Sequence, residues 1–193
     1  MTKTLNYYNQ KSDDFIENTV HADLSEQYHF FEKHLSRGAT ILDFGCGSGR
    51  DSKYFLSRGY QVTAIDGSEK MCEYASLLTG LDVKNVLFQD IQFASEFDGV
   101  WACASLLHLS IDDLENVFVR LKKALKPEGV IYASFKYGNF SGERNGRFFT
   151  DMNEERLNAL LTRIGDLKIL DTYISADVRP GRESEKWLNV IIA

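Results

Sequence analysis

The sequence predicts one doubly wound α/β domain whose seven-stranded, mostly parallel sheet ends in an antiparallel hairpin. Three observations carry this expectation. Short β-rich runs alternate with longer helical patterns along residues 40–164. Those runs are apolar throughout rather than at every second residue, as in strands covered on both faces. The last two runs, 167–176 and 185–193, are joined by a short connection around Arg179-Pro180-Gly181-Arg182. No crossover helix fits there, so this pair must run antiparallel.

Taken in order, the strands are expected at 40–44, 61–65, 85–88, 97–102 and 129–135, ahead of the terminal pair. Helices are expected between them. The first spans 51–57, directly after a glycine turn. The next starts near Glu69, behind the capping residues Asp66-Gly67-Ser68. A third carries the stripe Leu114, Val117, Phe118, Leu121 and Leu125, and Ser110 with Asp113 three residues on forms its capping box. The fourth has Leu157, Leu160, Leu161 and Ile164 on one face, Asp151 and Glu154 at capping distance, and Gly165 as its stop.

The 193 residues suffice for one well-packed domain. With 44% hydrophobic and 26% charged residues the composition is that of a globular chain, which excludes a disordered or collagen-like one. Lys+Arg is 22 against 28 for Asp+Glu, and the net charge of −6 argues against a general grip on nucleic acid or an anionic membrane. Cys46, Cys72 and Cys103 are too scattered for a disulfide frame or a zinc site, and are expected to be small buried hydrophobes in a reducing compartment. Residues 1–8 lack the apolar run of a signal peptide, and no stretch is long enough to span a bilayer, so the chain reads as cytoplasmic.

The sharpest local feature is Ile41-Leu42-Asp43-Phe44-Gly45-Cys46-Gly47-Ser48-Gly49-Arg50, an apolar strand running into three alternate glycines and then a helix. Such a turn lets backbone approach a ligand without Cβ interference and aims helix N–H groups at it. Asp66 ends the next strand 21 residues after Gly45, where a carboxylate can accept hydrogen bonds from ribose hydroxyls. Asp90, in Gln89-Asp90-Ile91 after the third strand, can read an adenine amino group.

With this ordered set the chain resembles the class I S-adenosylmethionine-dependent methyltransferases, from Ile41 to Phe135 and in its terminal hairpin. The residues that carry the likeness are Leu42-Asp43-Phe44-Gly45-Cys46-Gly47-Ser48-Gly49, Asp66, Gln89-Asp90-Ile91 and Leu125-Lys126-Pro127-Glu128-Gly129. Glu128 departs from the family, which often has glycine there. The resemblance implies a Rossmann-like fold, S-adenosyl-L-methionine as cofactor and methyl transfer as activity. The chain then divides into a helical cap (1–38), a cofactor-binding core (39–135) and an acceptor side (136–193). The resemblance also implies roles. Gly45, Cys46, Gly47 and Gly49 would line the methionine portion, with Arg50 near its carboxylate and Asp43 at its amino end. Asp66, with Gly67 and Ser68, would hold the ribose. Asp90 and Ile91 would hold the adenine, Met71 would pack on its face, and Ala104 would close the site after strand four.

Two other readings stay open. A nicotinamide-dependent oxidoreductase uses G-x-G-x-x-G, whereas the spacing here is G-x-G-x-G, with Asp43 placed to repel a pyrophosphate. A cofactor-binding regulator without catalysis would carry the same motifs.

Methyl transfer from a sulfonium is an in-line displacement that needs alignment more than acid–base chemistry. His108 is the candidate base by its near-neutral pKa. Tyr7, Tyr8, Tyr137 and Trp187 are candidate walls of the acceptor pocket. Lys136, Arg144, Arg147, Arg179 and Arg182 gather in the two connections expected over the site, which points to an anionic acceptor with Arg179 as its best contact. Glu143, Asp177, Glu183 and Glu185 lie among them and could pair internally instead. With only Pro127 and Pro180, the chain lacks the Asn/Asp-Pro-Pro-Tyr motif, and it has no Pro-Cys nucleophile. The acceptor is therefore expected to be a small molecule rather than nucleic acid, and the chain is similar in style to small bacterial methyltransferases of the tellurite-resistance type.

Overall fold

A computed structural model describes residues 3–193, which leaves the first two residues of the expected helical cap outside the described chain. Three short helices, α1 (Lys3–Gln10), α2 (Ser12–Thr19) and α3 (Ser25–Glu32), precede β1 (Thr40–Phe44). Next come α4 (Arg50–Ser57), β2 (Gln61–Asp66), α5 (Glu69–Thr79), β3 (Lys84–Asn85), β4 (Phe97–Ala102), α6 (Ile111–Ala124) and β5 (Leu125–Lys136). A hairpin of β6 (Ser141–Arg144) and β7 (Arg147–Thr150) leads to α7 (Glu154–Ile164), β8 (Ile169–Ala176) and β9 (Lys186–Ile192).

The seven-stranded sheet has the order β3-β2-β1-β4-β5-β9-β8. The first five of these strands are parallel, and β9 runs antiparallel to both β5 and β8. The doubly wound frame and its terminal antiparallel hairpin are thus as the sequence predicts. Strand order reverses between β1 and β4, the place where open α/β sheets leave a crevice at their carboxyl ends.

Neighbouring residues along the central strands enter opposite cores, which is why the runs are apolar throughout. Leu42, Val100 and Ile131 pack with Leu114 and Phe118 of α6 and Leu157 of α7. Ile41, Trp101 and Tyr132 pack with Tyr28 and Phe31 of α3 and Phe55 of α4. The Trp101 and Tyr132 rings stack at 4.0 Å between centroids. Burying side chains of this size contributes about 1.5–3 kcal/mol each. No described helix is long and apolar enough to cross a membrane.

Several boundaries differ from the sequence reading. The third strand covers only Lys84–Asn85, because Phe88 turns away to stack on Phe44 at 4.2 Å and residues 88–90 form a 3₁₀ turn. Leu125 opens β5 instead of closing α6. Ser110 caps α6 as expected, accepting from Asp113 N at 3.1 Å. Asn153, not Asp151, caps α7 by accepting from Arg156 N at 2.8 Å, since Asp151 is drawn to Arg144. The β6–β7 hairpin was not expected at all. Its turn is Asn145-Gly146, both at positive φ (50° and 77°), the backbone that Asn-Gly favours.

Candidate functional site

The carboxyl ends of β1, β2, β4 and β5 open on one cavity of about 880 Å³, roofed by α1 and the β6–β7 hairpin. That volume lies at the upper end for small-molecule sites. Its floor is the glycine loop. Gly45 and Cys46 both donate to Ile65 O at 3.0 Å, which folds the loop back against β2. Gly45 sits at φ +85°, and a Cβ there would lie 2.5 Å from the Ser105 Cβ, so no other residue fits without a shift. At Gly47 (φ +52°) the nearest atom to such a Cβ is a Phe15 ring carbon at 3.8 Å. The loop presents bare backbone to the cavity there.

Asp66 lines the cavity and is tied by both oxygens, accepting from Gly47 N at 2.9 Å and Ser68 N at 2.8 Å. Burial raises its carboxyl above the usual range, and the N–H donors oppose that rise. Gly67, Met71 and Asp90 line the same lobe, with Arg50 and Cys46. Ala104 lines it too, held at φ +51° with its N–H donating to Ser134 Oγ at 2.8 Å.

Four expected contacts lie behind the surface instead. Asp43 does not reach the cavity: it is buried and accepts from Ser52 Oγ, and burial with the nearby Asp51 charge pushes its carboxyl up. Gly49 takes its left-handed conformation to let α4 approach α5, where a Cβ would lie 3.0 Å from Ala75. Ser68 is fully buried as the cap of α5 and donates to Asn9. Ile91 faces the core, while its neighbours Leu87, Phe88 and Gln89 line the cavity. A second feature the sequence hid is Asp51, which accepts from Tyr28 Oη (2.6 Å), Trp101 Nε1 (2.9 Å) and Arg50 Nε (2.6 Å). Burial pushes its carboxyl up, but the Arg50 guanidinium and these bonds hold it below the usual range.

At the other lobe, Lys136, Arg147, Arg179, Arg182 and Trp187 line the wall. Asp177 is their hub: it accepts from Arg179 Nε at 2.8 Å and Trp187 Nε1 at 3.0 Å, with Lys136 Nζ at 3.8 Å. Glu185 pairs with Lys136 and Arg182. Burial, then the neighbouring guanidinium groups, bring the Lys136 ammonium down to about 8. Arg179 is therefore committed to Asp177 and is not the free cation that the sequence suggested. Arg147 is the one that pairs with no carboxylate among the described residues. It donates to Tyr8 Oη at 3.3 Å and lies over the Tyr7 ring at 4.6 Å. Arg144 is not part of the wall, being held by Asp151. Tyr7 stands behind Arg147, and Tyr137 is exposed and donates to Glu154, so neither lines the cavity.

His108 lines the cavity between these lobes. Its Nδ1 is 2.8 Å from Phe148 O, an atom that can only accept, so Nδ1 carries the proton. Its Nε2 then accepts from Tyr8 Oη at 2.8 Å. Burial lowers the His108 pKa to about 4. Burial also raises the Tyr8 phenol, with Arg147 opposing. The roof is fastened by Lys3 to Glu143 at 2.9 Å and by Phe148 N to Thr4 Oγ1 at 3.0 Å.

Comparison with known proteins gives a consistent set of likenesses. Residues 41–129 match the family described as methyltransferase domain. The Bacillus subtilis protein named "Putative methyltransferase YqeM" is 31% identical over 147 residues, 70% of this chain and 58% of that protein. The chain spans about half the length of the curated relatives it matches. The Burkholderia thailandensis 1,6-didemethyltoxoflavin-N1-methyltransferase, with bound 1,6-didemethyltoxoflavin and S-adenosylhomocysteine, has TM-score 0.78 at 22% identity over 97% of this chain and 84% of that one. A TehB-like methyltransferase of Corynebacterium glutamicum has TM-score 0.69 at 22% identity over 98% of this chain and 97% of that one.

Proposed function

We propose that this chain, whose residues 41–129 match a methyltransferase domain, works as a class I S-adenosylmethionine-dependent methyltransferase, taking S-adenosylmethionine as its cofactor and passing the methyl group to a small molecule bearing an anionic group. The observation that carries this reading is continuity: one cavity runs from the bare backbone of Gly47 to Arg147 and Trp187. The donor chemistry fits the cofactor. Gly45, Cys46 and Gly47 would face its methionine portion, Asp66 its ribose, and Met71, Phe88 and Asp90 its adenine. Asp43, Gly49, Ser68 and Ile91 would support this surface from behind. Bound there, the cofactor supplies a methyl group already activated on a sulfonium.

The residues of this chain would then align the acceptor for in-line displacement and keep water out. Lys136, Arg179 and Arg182 share Asp177 and Glu185, while Arg147 shares neither, so the wall carries excess positive charge. An acceptor carboxylate or phosphate placed at Arg147 would meet guanidinium N–H groups in a partly desolvated site. Trp187, Phe148 and Phe149 would cover the acceptor's apolar body. The B. thailandensis protein, which holds a small molecule with S-adenosylhomocysteine, supports an acceptor of that size. The test is transfer of labelled methyl groups from S-adenosylmethionine to pools of carboxylates, phosphates and neutral compounds. Labelling should concentrate in the anionic pools. Equal labelling of neutral compounds would sink the anionic acceptor, and tight NAD binding without S-adenosylhomocysteine binding would sink the whole reading.

A further inference from the structure

Tyr8, on α1, stands at the junction of the two lobes. One ring separates it from the glycine loop: Phe15 lies edge-on to Tyr8 at 5.1 Å between centroids, and 3.8 Å from where a Gly47 Cβ would be. On its other side Tyr8 Oη donates to His108 Nε2 and accepts from Arg147 Nη1. A phenolic oxygen so placed has one acceptor position left, and Tyr8 lines the cavity. We infer that Tyr8 and His108 form a proton relay for an acceptor whose nucleophile is a hydroxyl or a weakly basic ring N–H. Tyr8 Oη takes that proton, and His108 Nε2 receives the one that Tyr8 gives up. The inference rests on the methyltransferase reading.

The step balances. The acceptor's lone pair forms the bond to the methyl carbon, and the electrons of the methyl–sulfur bond stay on sulfur, leaving a neutral thioether. The acceptor's own X–H proton passes to Tyr8 Oη as the Tyr8 proton passes to Nε2. One positive charge leaves the sulfur and one appears on the imidazole, so the cavity's net charge is unchanged. The imidazolium later loses its proton to solvent.

A weakly basic imidazole suits this task. Burial keeps it unprotonated at neutral pH, so Nε2 is always ready to accept. A free hydroxyl is far too weak an acid to protonate it, but a hydroxyl oxygen that has gained a methyl becomes a stronger acid than any imidazolium. Transfer therefore follows bond formation. Arg147 acts as a positioning residue by fixing Tyr8. Tyr8 of α1 and Arg147 of β7 are the titratable and charged groups set against His108, while Lys136 of β5 and Asp113 of α6 line the same cavity. Lys136 is held by Glu185 and Asp113 by Ser110.

The test is nitrogen NMR of the full chain labelled at its four histidines, with His108 assigned by difference against His108→Gln. Titrations are recorded with S-adenosylhomocysteine and with sinefungin, whose ammonium replaces the sulfonium. His108 should be the Nδ1-protonated neutral form, and should titrate about one pH unit lower with sinefungin, a tenfold weaker proton affinity set by the nearby charge. In Tyr8→Phe the Nε2 resonance should move to that of an unbonded ring nitrogen. Equal midpoints in the two wild-type complexes, a proton on Nε2, or a resonance unmoved by Tyr8→Phe would each overturn the relay. Failure of both ligands to bind would overturn the methyltransferase reading itself, and the relay with it.

Discussion

Asp66 Oδ2 accepts a hydrogen bond from Gly47 N at 2.9 Å, joining the acid that ends β2 to the loop that follows β1. One carboxylate thus shapes the glycine loop and faces the cavity with its remaining lone pairs.

Asp66→Ala removes both functions. Hydrogen bonds to a charged group contribute roughly 1.5–3 kcal/mol each, so affinity for S-adenosylhomocysteine should fall at least about tenfold. Calorimetry on the folded variant measures it. Unchanged affinity would take Asp66 out of the binding site.

Gly45→Ala should destabilise the fold itself. Its Cβ would meet Ser105 Cβ at 2.5 Å and a Phe88 ring carbon at 2.9 Å, on a backbone at φ +85°. Strain and overpacking together should cost roughly 2–4 kcal/mol, read from urea unfolding. A loss below about 0.5 kcal/mol would mean the loop yields freely.

Arg147→Ala should raise KM for the true acceptor about tenfold or more and leave S-adenosylhomocysteine affinity within about twofold. Arg179→Ala should act differently. It leaves buried Asp177 short of its main partner, so its principal effect should be on stability. Steady-state kinetics and thermal melts of the two variants separate these roles, and a larger KM effect for Arg179→Ala would reverse the assignment.

The acid side of the stability curve should carry His108's signature. Burial lowers its pKa to about 4 in the fold, against about 6.5 in the unfolded chain. The native state binds fewer protons between those values, so stability is full above about pH 6.5 and declines as pH falls toward 4. The decline should reach roughly 3 kcal/mol, and His108→Gln should flatten it in urea titrations at stepped pH. Parallel curves for the two proteins would show that His108 is not buried neutral.

The sheet was legible because its signals are local: apolar runs, glycine turns and a terminal pair with no room for a helix. The cavity wall was legible where a motif ends on it: Asp66 closes β2 and Asp90 closes the turn after β3, and both line the cavity. It was not legible where one requirement serves two ends. Gly49 needs positive φ like Gly45, but uses it to pack α4 on α5. Asp43 is next to last in β1 and Asp66 last in β2, and burial acts on both, but Asp43 sits beneath the loop with Ser52 while Asp66 lines the cavity. The Asn145-Gly146 turn was there to be read, but Ser141–Arg144 is too polar to mark a strand. No spacing rule could pair Tyr8 with His108, because they meet through the fold across 100 residues of chain.

The fastenings of the roof bear on how the chain folds. Lys3 meets Glu143, Thr4 meets Phe148 and Tyr8 meets His108, partners 140, 144 and 100 residues apart. Contacts that close such long loops are expected after the sheet and its helices have condensed. Thr4→Ala should therefore speed unfolding and leave the refolding rate nearly unchanged in stopped-flow chevrons. The same order runs in reverse in the native state: α1 should be the first element to exchange its amide protons, opening the acceptor lobe while the glycine loop stays protected.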